Sequence, residues 1–284
     1  MSAIDTLVRR HGLTTCLLLP PLVFLAAFFV VPLIEVVRGS FFAPDLTFDH
    51  YARMASEPLY LRVVSITLKI ALLTVLLCVL LGYAAAYLIA TASPRARQLL
   101  MLCVIVPFFL STLIRNYIWM AILQRSGLLN HALRDLGLIT EPLALMYNQT
   151  GVVVVMVNML LPFTIFPILS SLLAISPDLY HASSSLGAGP IRTFCRVTLP
   201  MSLPGVVAGA LLVFIVSLGF FITPALVGGQ KEMMISNLID FHIRQVLNWP
   251  FAFALANVLL CGTLVLYFLY ARSVEGRLPR TAFP

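Results

Sequence analysis

The sequence predicts an all-α, polytopic membrane protein with six transmembrane helices, and three observations lead to that class. Of its 284 residues, 61% are hydrophobic and only 10% are charged, whereas about a quarter of the residues in a soluble domain carry charge. Six apolar stretches are each long enough to cross about 30 Å of hydrocarbon as a helix. None shows the alternating polarity of membrane β-strands, so helices are the expected spanning elements.

The stretches cover, in chain order, residues 13–37, 63–90, 99–123, 151–175, 205–227 and 251–271. The first follows Arg9 and Arg10, as a signal peptide would, but no small-residue cleavage pattern follows it, so we expect an uncleaved helix. Amphipathic runs at 128–138 and 233–247 predict short surface helices. Residues 13–271 therefore form the predicted transmembrane domain, between an N-terminal segment (1–12) and a C-terminal tail (272–284).

The distribution of charge predicts the orientation. With the N-terminus inside, the inner segments carry nine Lys or Arg residues against three acidic ones, and the outer segments carry seven of each. Short cytoplasmic loops are typically enriched in Lys and Arg, so we expect both termini in the cytoplasm. The net charge of +7 then reflects topology rather than binding to nucleic acid.

Several kinds of enzyme site are absent from the sequence. The only lysines are Lys69 and Lys231, and neither follows a glycine, so the phosphate-binding loop GxxxxGK[ST] is missing. The five histidines and five cysteines show no metal-ligand or redox spacing. The chain is therefore expected to have no catalytic residues, metal site or nucleotide site of its own.

Three charged residues lie within the apolar stretches. Glu35 and Lys69 are near the outer ends of their helices, where long side chains reach the headgroups. Arg115 is deeper, about 12 Å from the end of its predicted helix at 1.5 Å per residue. Its side chain must face protein or water, and the sequence leaves open whether it has a structural role or lines a pathway.

Polar and aromatic residues near Arg115 and in other stretches complete a candidate translocation path. Asparagines within membranes most often bond neighbouring helices, which we favour here over cavity lining. The candidate residues are Arg115, Asn116, Tyr117, Trp119, Asn158 and Asn257.

The longest inner connection, residues 176–204, has the features of a short helix outside the bilayer. Ser176 suits the N-cap, Pro177 the first turn and Asp178 the positive end of the helix. Gly187 can supply a left-handed cap, and a second short helix is expected from Pro190 to before Pro200. A helix of about ten residues is unstable alone in water and needs a surface to dock on, either this chain's own helix ends or a partner.

The same loop carries a family resemblance. The run Tyr180-His-Ala-Ser-Ser-Ser-Leu-Gly-Ala, followed by Thr198-Leu-Pro and Leu203-Pro-Gly, resembles the EAA loop of ABC-importer permeases. Further segments (Val106-Pro-Phe, Ile114-Arg-Asn-Tyr-Ile-Trp, Leu160-Leu-Pro-Phe, Thr223-Pro-Ala-Leu-Val-Gly-Gly and Asn248-Trp-Pro) resemble the spermidine/putrescine permease family, first-permease type. The family's glutamate is His181 here and its second alanine is Ser183, so the resemblance implies no carboxylate contact to an ATPase.

The resemblance implies the type I importer permease (MetI-like) fold. It also implies a docking role for the loop, whose candidate coupling residues are Asp178, Leu179, Tyr180, His181, Ala182, Ser183, Leu186 and Gly187. The implied partners are two ATPase subunits, a second homologous permease and a periplasmic solute-binding protein. ATP and Mg would be bound by the partner subunits, and no cofactor by this chain.

The implied activity is passage of a small solute, such as spermidine or putrescine, through the bacterial inner membrane by alternating access. Polyamines are cations, so their path should offer carboxylates or aromatic faces, and an inward-pointing Arg115 would oppose them. Another small organic solute, amino-acid-like or an organic cation, is the first alternative. A secondary transporter or channel working without ATP is more distant, because it would be expected to carry paired intramembrane carboxylates. A membrane enzyme ranks third.

Overall fold

The computed structural model describes residues 17–42 and 45–275. The predicted N-terminal segment 1–12 and residues 276–284 of the predicted tail lie outside the described residues. Within the described part, the only β-structure is an isolated bridge between Phe42 and Leu46. The chain divides into two units: residues 1–57 with 239–258, and residues 58–238 with 259–284.

The described helices follow one another closely along the chain. They are α1 (Leu17–Phe41), α2 (Asp49–Ser56), α3 (Pro58–Thr91), α4 (Pro94–Phe108), α5 (Thr112–Leu123), α6 (Leu128–Asp135), α7 (Gln149–Leu173), α8 (Pro177–Ser185), α9 (Pro190–Leu218), α10 (Ile222–Val227), α11 (Ile235–Arg244) and α12 (Trp249–Glu275). Five of these, α1, α3, α7, α9 and α12, are long and apolar enough to cross a membrane. Helix α4 and the segment Thr112–Asp135, which contains α5 and α6, add a sixth if that bent pair is one span. The surface helices predicted at 128–138 and 233–247 are confirmed as α6 and α11.

The third apolar stretch is not the single helix that we predicted. Helix α4 ends at Phe108, and the chain bends by 96° before it continues as α5 and α6. Pro107 lies in the last turn of α4, where its ring disturbs the helical bonding, and Leu110 donates its backbone N–H to the Pro107 carbonyl at 3.2 Å. Arg115 therefore lies near the start of a new helix rather than deep within a continuous one.

The fifth stretch is also broken, between α9 and α10. Pro224 has no N–H to bond the carbonyl of Phe220, four residues earlier. That carbonyl instead accepts a hydrogen bond from the hydroxyl of Ser236 at 2.7 Å. The carbonyl of Phe221 keeps its helical bond from the Ala225 N–H and also accepts one from the Asn237 amide, both at 3.1 Å. The Ser236 side chain thus satisfies the carbonyl that Pro224 leaves without a donor, as an apolar environment requires.

The second short helix in the 176–204 loop does not stop before Pro200, as we had predicted. It begins at Pro190, passes through a π-helical turn at Phe194–Thr198 and continues to Leu218 as α9. In that turn the Leu199 N–H bonds the carbonyl of Phe194, five residues earlier. The wider turn accommodates Pro200 without ending the helix, as π-turns and prolines do elsewhere.

Helix α7 forms the core of the second unit, and it packs against both α3 and α9. Asn148 caps its start by accepting the Gly151 N–H at 2.9 Å. Thr164, near its middle, lies between two glycines: a Cβ on Gly82 or on Gly209 would come within 3.1 Å of Thr164 atoms. The absence of these two side chains lets three helix backbones approach closely, as small residues do in membranes.

In the first unit, α2 packs against the end of α11 and the start of α12 around the ring of Phe251. The guanidinium carbon of Arg53 lies 5.4 Å from the centre of that ring, and the His242 ring lies 4.7 Å from it. Arg53 also donates to the Glu57 carboxylate at 2.7 Å. This unit therefore has its own aromatic and charged cluster, which we call the Phe251 cluster.

Candidate functional site

The 176–204 loop adopts the capped helix that the sequence predicted. The Ser176 hydroxyl accepts the Asp178 N–H at 3.3 Å, and α8 runs from Pro177 to Ser185. Gly187 has φ +72° and donates its N–H to the Ser184 carbonyl at 2.9 Å. The predicted left-handed cap is therefore confirmed, and its conformation favours glycine.

The candidate coupling residues point in two directions. Tyr180 packs against the apolar cluster at the ends of α3 and α7, and the Ser183 hydroxyl lies 2.7 Å from that of Thr193 at the start of α9. The other candidates lie at the surface: Asp178, Leu179, His181, Ala182, Leu186 and Gly187. Leu186 and Ile191 are 86% and 80% exposed, which makes them the apolar centre of this surface. Of the two possible docking surfaces, the chain's own helix ends receive Tyr180 and Ser183, and the rest of the loop is uncovered.

Trp119 and Asn158 form a polar pair in the second unit. The indole N–H of Trp119 on α5 donates to the Asn158 amide oxygen on α7 at 3.0 Å. Helix α7 is otherwise the most buried of the candidate spans, yet Asn158, near its middle, is exposed. Tyr117, on the same helix as Trp119, is 58% exposed. The structure therefore brings two predicted path residues together at an exposed position within a spanning helix.

Asn116 is buried and links the two segments that follow the helix breaks. Its amide oxygen accepts the Thr223 hydroxyl of α10 at 2.8 Å, and its amide nitrogen donates to the Thr112 carbonyl at 2.8 Å. Asn116 and Thr223 are both 0% exposed. The interhelical bond favoured for this asparagine is confirmed. An open pocket of about 470 Å³ is lined by Thr112 of α5 and by residues at the α9–α10 break, among them Gly219, Phe220, Phe221 and Ile222.

Asn257 belongs to the first unit and has a similar bonding role there. Its amide nitrogen donates to the Ser40 hydroxyl of α1 at 2.7 Å, and the Ser40 hydroxyl lies 2.8 Å from that of Tyr51 on α2. The favoured interhelical bond is again confirmed. Neither Thr223, Ser40 nor Tyr51 was predicted as a partner, because a single sequence contains no information on which helix faces meet.

Arg115 lies one helical turn before Trp119, on the adjoining part of the same face of α5. Its Nε atom is buried and has no hydrogen-bond partner among the described residues. The ion pairs found in the described part of the chain are all elsewhere, at Glu35–Arg38, Arg53–Glu57 and Asp240–Arg244. Within the described residues of its unit, Arg115 is thus a cation in a spanning segment without an ion-pair partner.

Comparison with known proteins places this geometry in a family. Residues 78–276, well over half of the chain, match the family described as "Binding-protein-dependent transport system inner membrane component". The chain belongs to this family. It is an ABC transporter permease, and the matched region contains the α8 loop, the Trp119–Asn158 pair and both helix breaks.

Two relatives of this permease are spermidine/putrescine transport system permease proteins named PotB. That of Salmonella typhimurium (strain SL1344) is 34% identical over 258 residues, which cover 88% of this chain and 90% of the relative. That of Escherichia coli (strain K12) is 35% identical over 239 residues, which cover 81% and 86% of the two chains. Membership of the inner-membrane family therefore extends over nearly the whole permease.

Two solved structures support the fold. A bacterial ABC transporter involved in the import of the acidic polysaccharide alginate matches with a TM-score of 0.79 and 20% identity, over 98% of this chain and 100% of that one. The MetNI methionine ABC transporter matches with a TM-score of 0.61 and 19% identity, over 79% and 100% of the two chains. The predicted MetI-like permease fold is confirmed.

Proposed function

We propose that this permease imports a small solute, with a polyamine such as spermidine or putrescine as the first candidate, driven by ATP bound to separate subunits. The Trp119–Asn158 pair carries the proposal for the path. A polar pair exposed on a spanning helix would be costly against lipid tails, whereas a water-filled path satisfies it. The substrate class is supported by the two PotB relatives, which are 34% and 35% identical to this chain.

The half-buried Trp119 ring beside Asn158 suits an organic cation. An ammonium group is attracted to the face of such a ring, whereas Tyr117, two residues earlier, lies on the opposite side of α5. Asn158 holds the Trp119 ring in place through its amide oxygen. Asn116 is buried, and its bond to Thr223 fixes a wall of this path. Asn257 is also buried, and its bond to Ser40 fixes α12 to α1 within the first unit.

The α8 loop is the coupling site in this proposal. Its exposed residues, centred on Leu186 and Gly187, dock on an ATPase subunit, while Tyr180 and Ser183 anchor the helix to the permease. Closure of the ATPase pair then moves α8, and the spanning helices switch between inward and outward openings. The full assembly contains two ATPase subunits with ATP and Mg, a second homologous permease and a periplasmic solute-binding protein. Both termini of this permease face the cytoplasm.

A second candidate substrate is a small monovalent organic cation or an amino-acid-like solute. Arg115, one turn from Trp119, favours it, because an uncompensated guanidinium repels a polycation more strongly than a monovalent or zwitterionic solute. Both candidates use the same path and the same coupling loop.

The test is uptake by the complete assembly in proteoliposomes, with labelled spermidine, putrescine, a monovalent organic cation and an amino acid compared at equal concentration. We expect ATP-dependent polyamine uptake, and no hydrolysis of ATP by the permease alone. Uptake of the other solutes without uptake of polyamines would contradict the first substrate candidate. Equal uptake with and without ATP would contradict the importer class.

A further inference from the structure

The unpartnered charge of Arg115 needs an explanation that the docking loop and the aromatic pair do not supply. Its Nε is buried without a hydrogen-bond partner among the described residues. An arginine in a spanning segment is costly, and such residues normally pair with acids or carbonyls or face water. Its position one turn from Trp119 places it beside the exposed polar pair rather than toward lipid.

The surrounding helices offer no compensating charge. The spanning segments of the second unit, Pro58–Thr91, Pro94–Phe108, Thr112–Leu123, Gln149–Leu173 and Pro190–Leu218, contain no Asp or Glu. The acidic residue in a described spanning segment is Glu35 of α1, in the first unit, and it lies 3.6 Å from Arg38. The field of Arg115 is therefore not cancelled by an acid of the helices that form its unit.

We propose that Arg115 is an electrostatic filter that keeps small inorganic cations such as K⁺ out of the translocation path. A fixed arginine beside a pore raises the barrier for ions that carry positive charge and make no other favourable contact. At an effective dielectric constant of about 20, a unit charge at roughly 8 Å reduces the local cation concentration by about tenfold or more. A larger organic cation offsets this repulsion through contact with the Trp119 ring. K⁺ would have to give up part of its hydration shell to make the same contact, at a net loss.

This inference rests on the proposed function for the position of the path, but not on the identity of the substrate. It also explains how a path for organic cations can contain an arginine. An importer that leaked K⁺ while it cycled would dissipate the membrane potential, so a path for cations needs a discriminating element. A counter-charge supplied by the second permease is the competing explanation, and the test below separates the two.

The test measures K⁺ leak from proteoliposomes that contain the full assembly and hydrolyse ATP in the absence of solute. Two variants remove the charge, Arg115→Met and Arg115→Gln, and Arg115→Lys keeps it. Lys69→Met is the matched control, because it removes a cation from an exposed position on spanning helix α3. We expect about a tenfold rise in K⁺ leak for the Met and Gln variants. The Lys variant and the Lys69 control should remain at the wild-type level.

Unchanged leak in both charge-removing variants would overturn the filter, and so would an equal rise in the Lys69 control. Failure of both Arg115 variants to retain the second permease would also overturn it, since Arg115 would then serve as a pairing residue between subunits. Polyamine uptake is measured in the same vesicles. If leak rises in the charge-removing variants but the wild type takes up no polyamine, the result supports the filter and contradicts only the substrate proposal.

Discussion

The Thr223 hydroxyl donates a hydrogen bond of 2.8 Å to the amide oxygen of Asn116, and both side chains are fully buried. This bond joins the segments that follow the two helix breaks, so it fixes α10 to α5. Thr223→Val keeps the side-chain shape but leaves a buried amide oxygen without its donor, which should destabilise the protein by about 1–3 kcal/mol.

Thermal unfolding of the purified assembly, followed by intrinsic fluorescence, measures this loss. Thr91→Val is the matched control, because the exposed Thr91 hydroxyl bonds only carbonyls of its own helix, those of Tyr87 at 2.9 Å and Leu88 at 3.3 Å. An unfolding midpoint equal to wild type for Thr223→Val would show that the bond does not hold the two breaks together.

Gly187 should be required for coupling to the ATPase. Its φ of +72° costs a residue with a Cβ roughly 1 kcal/mol or more, and the substituent would lie on the exposed docking surface. Gly187→Val should therefore insert normally but lose both the ATPase on affinity purification and solute uptake. Gly189→Val is a close control, since Gly189 has φ −70° and a Cβ there would meet no atom within 4 Å. Equal ATPase retention and uptake by the two variants would remove the special role of Gly187.

The Trp119–Asn158 pair should affect the concentration dependence of uptake. Trp119→Phe keeps a ring but removes the donor, so the KM for the solute should rise about three- to tenfold, the effect of one hydrogen bond. Asn158→Leu should have a larger effect, because it also removes the exposed amide. Val154→Leu changes another exposed residue on the same face of α7 and should behave as wild type. Initial uptake rates over a range of concentrations measure these effects, and unchanged KM in the first two variants would exclude the pair from the path.

Acid should destabilise the Phe251 cluster. Burial, and secondarily the nearby charge of Arg53, lowers the pKa of His242 below its usual value of 6.5. In acid, the folded protein therefore binds fewer protons at His242 than the unfolded chain does. The free energy of unfolding is unaffected by this residue above about pH 6.5 and decreases as the pH falls toward the lowered pKa. Besides Arg53, the groups that accompany His242 around the ring are His50, whose ring centre lies 6.0 Å from that of Phe251, and Glu57, which is bonded to Arg53.

Thermal midpoints at pH 7.5 and pH 5.5 test this expectation. His242→Phe retains an aromatic ring but cannot be protonated, so its midpoint should fall less on acidification than that of the wild type. The difference between the two proteins isolates His242 from other titrating groups. An identical fall in both would contradict the prediction.

The proposed orientation predicts which side of the membrane each loop faces. In a background without Cys16, Cys78, Cys103, Cys195 and Cys261, a cysteine replacing the exposed Ser184 should be labelled only after the membrane is opened. A cysteine replacing Leu136, which is 72% exposed and on the predicted outer side, should be labelled in intact cells by an impermeant thiol reagent. The reverse pattern would invert the topology.

Local features of the structure were predictable from the sequence. The capped helix from Ser176 to Gly187 depends on neighbouring residues, and its cap, first turn and left-handed end all lie where the sequence indicates. The helix breaks were missed because Phe109, Leu110, Gly219 and Phe220 are as compatible with an apolar span as the helical residues around them. A three-residue interruption barely changes the hydropathy of a long window.

The pairing of distant residues could not be predicted. Trp119 and Asn158 were each singled out, but their bond depends on how α5 is directed after the bend at Phe109–Ser111. The continuation of α9 past Pro200 was missed for a related reason, because a π-helical turn accommodates a proline that usually marks an end. Residue types indicate which side chains need partners in a membrane, while the geometry of the breaks selects those partners.

The packing of Thr164 between Gly82 and Gly209 has a consequence for movement. A Cβ atom added to either glycine would lie only 3.1 Å from Thr164 atoms. Helices packed so closely at one point cannot slide along one another without separating first. We therefore expect α3, α7 and α9 to move as one rigid body near Thr164. Flexing during transport then falls on the non-helical joints, Phe109–Ser111 and Gly219–Phe221, where no continuous helical bonding resists a change of angle.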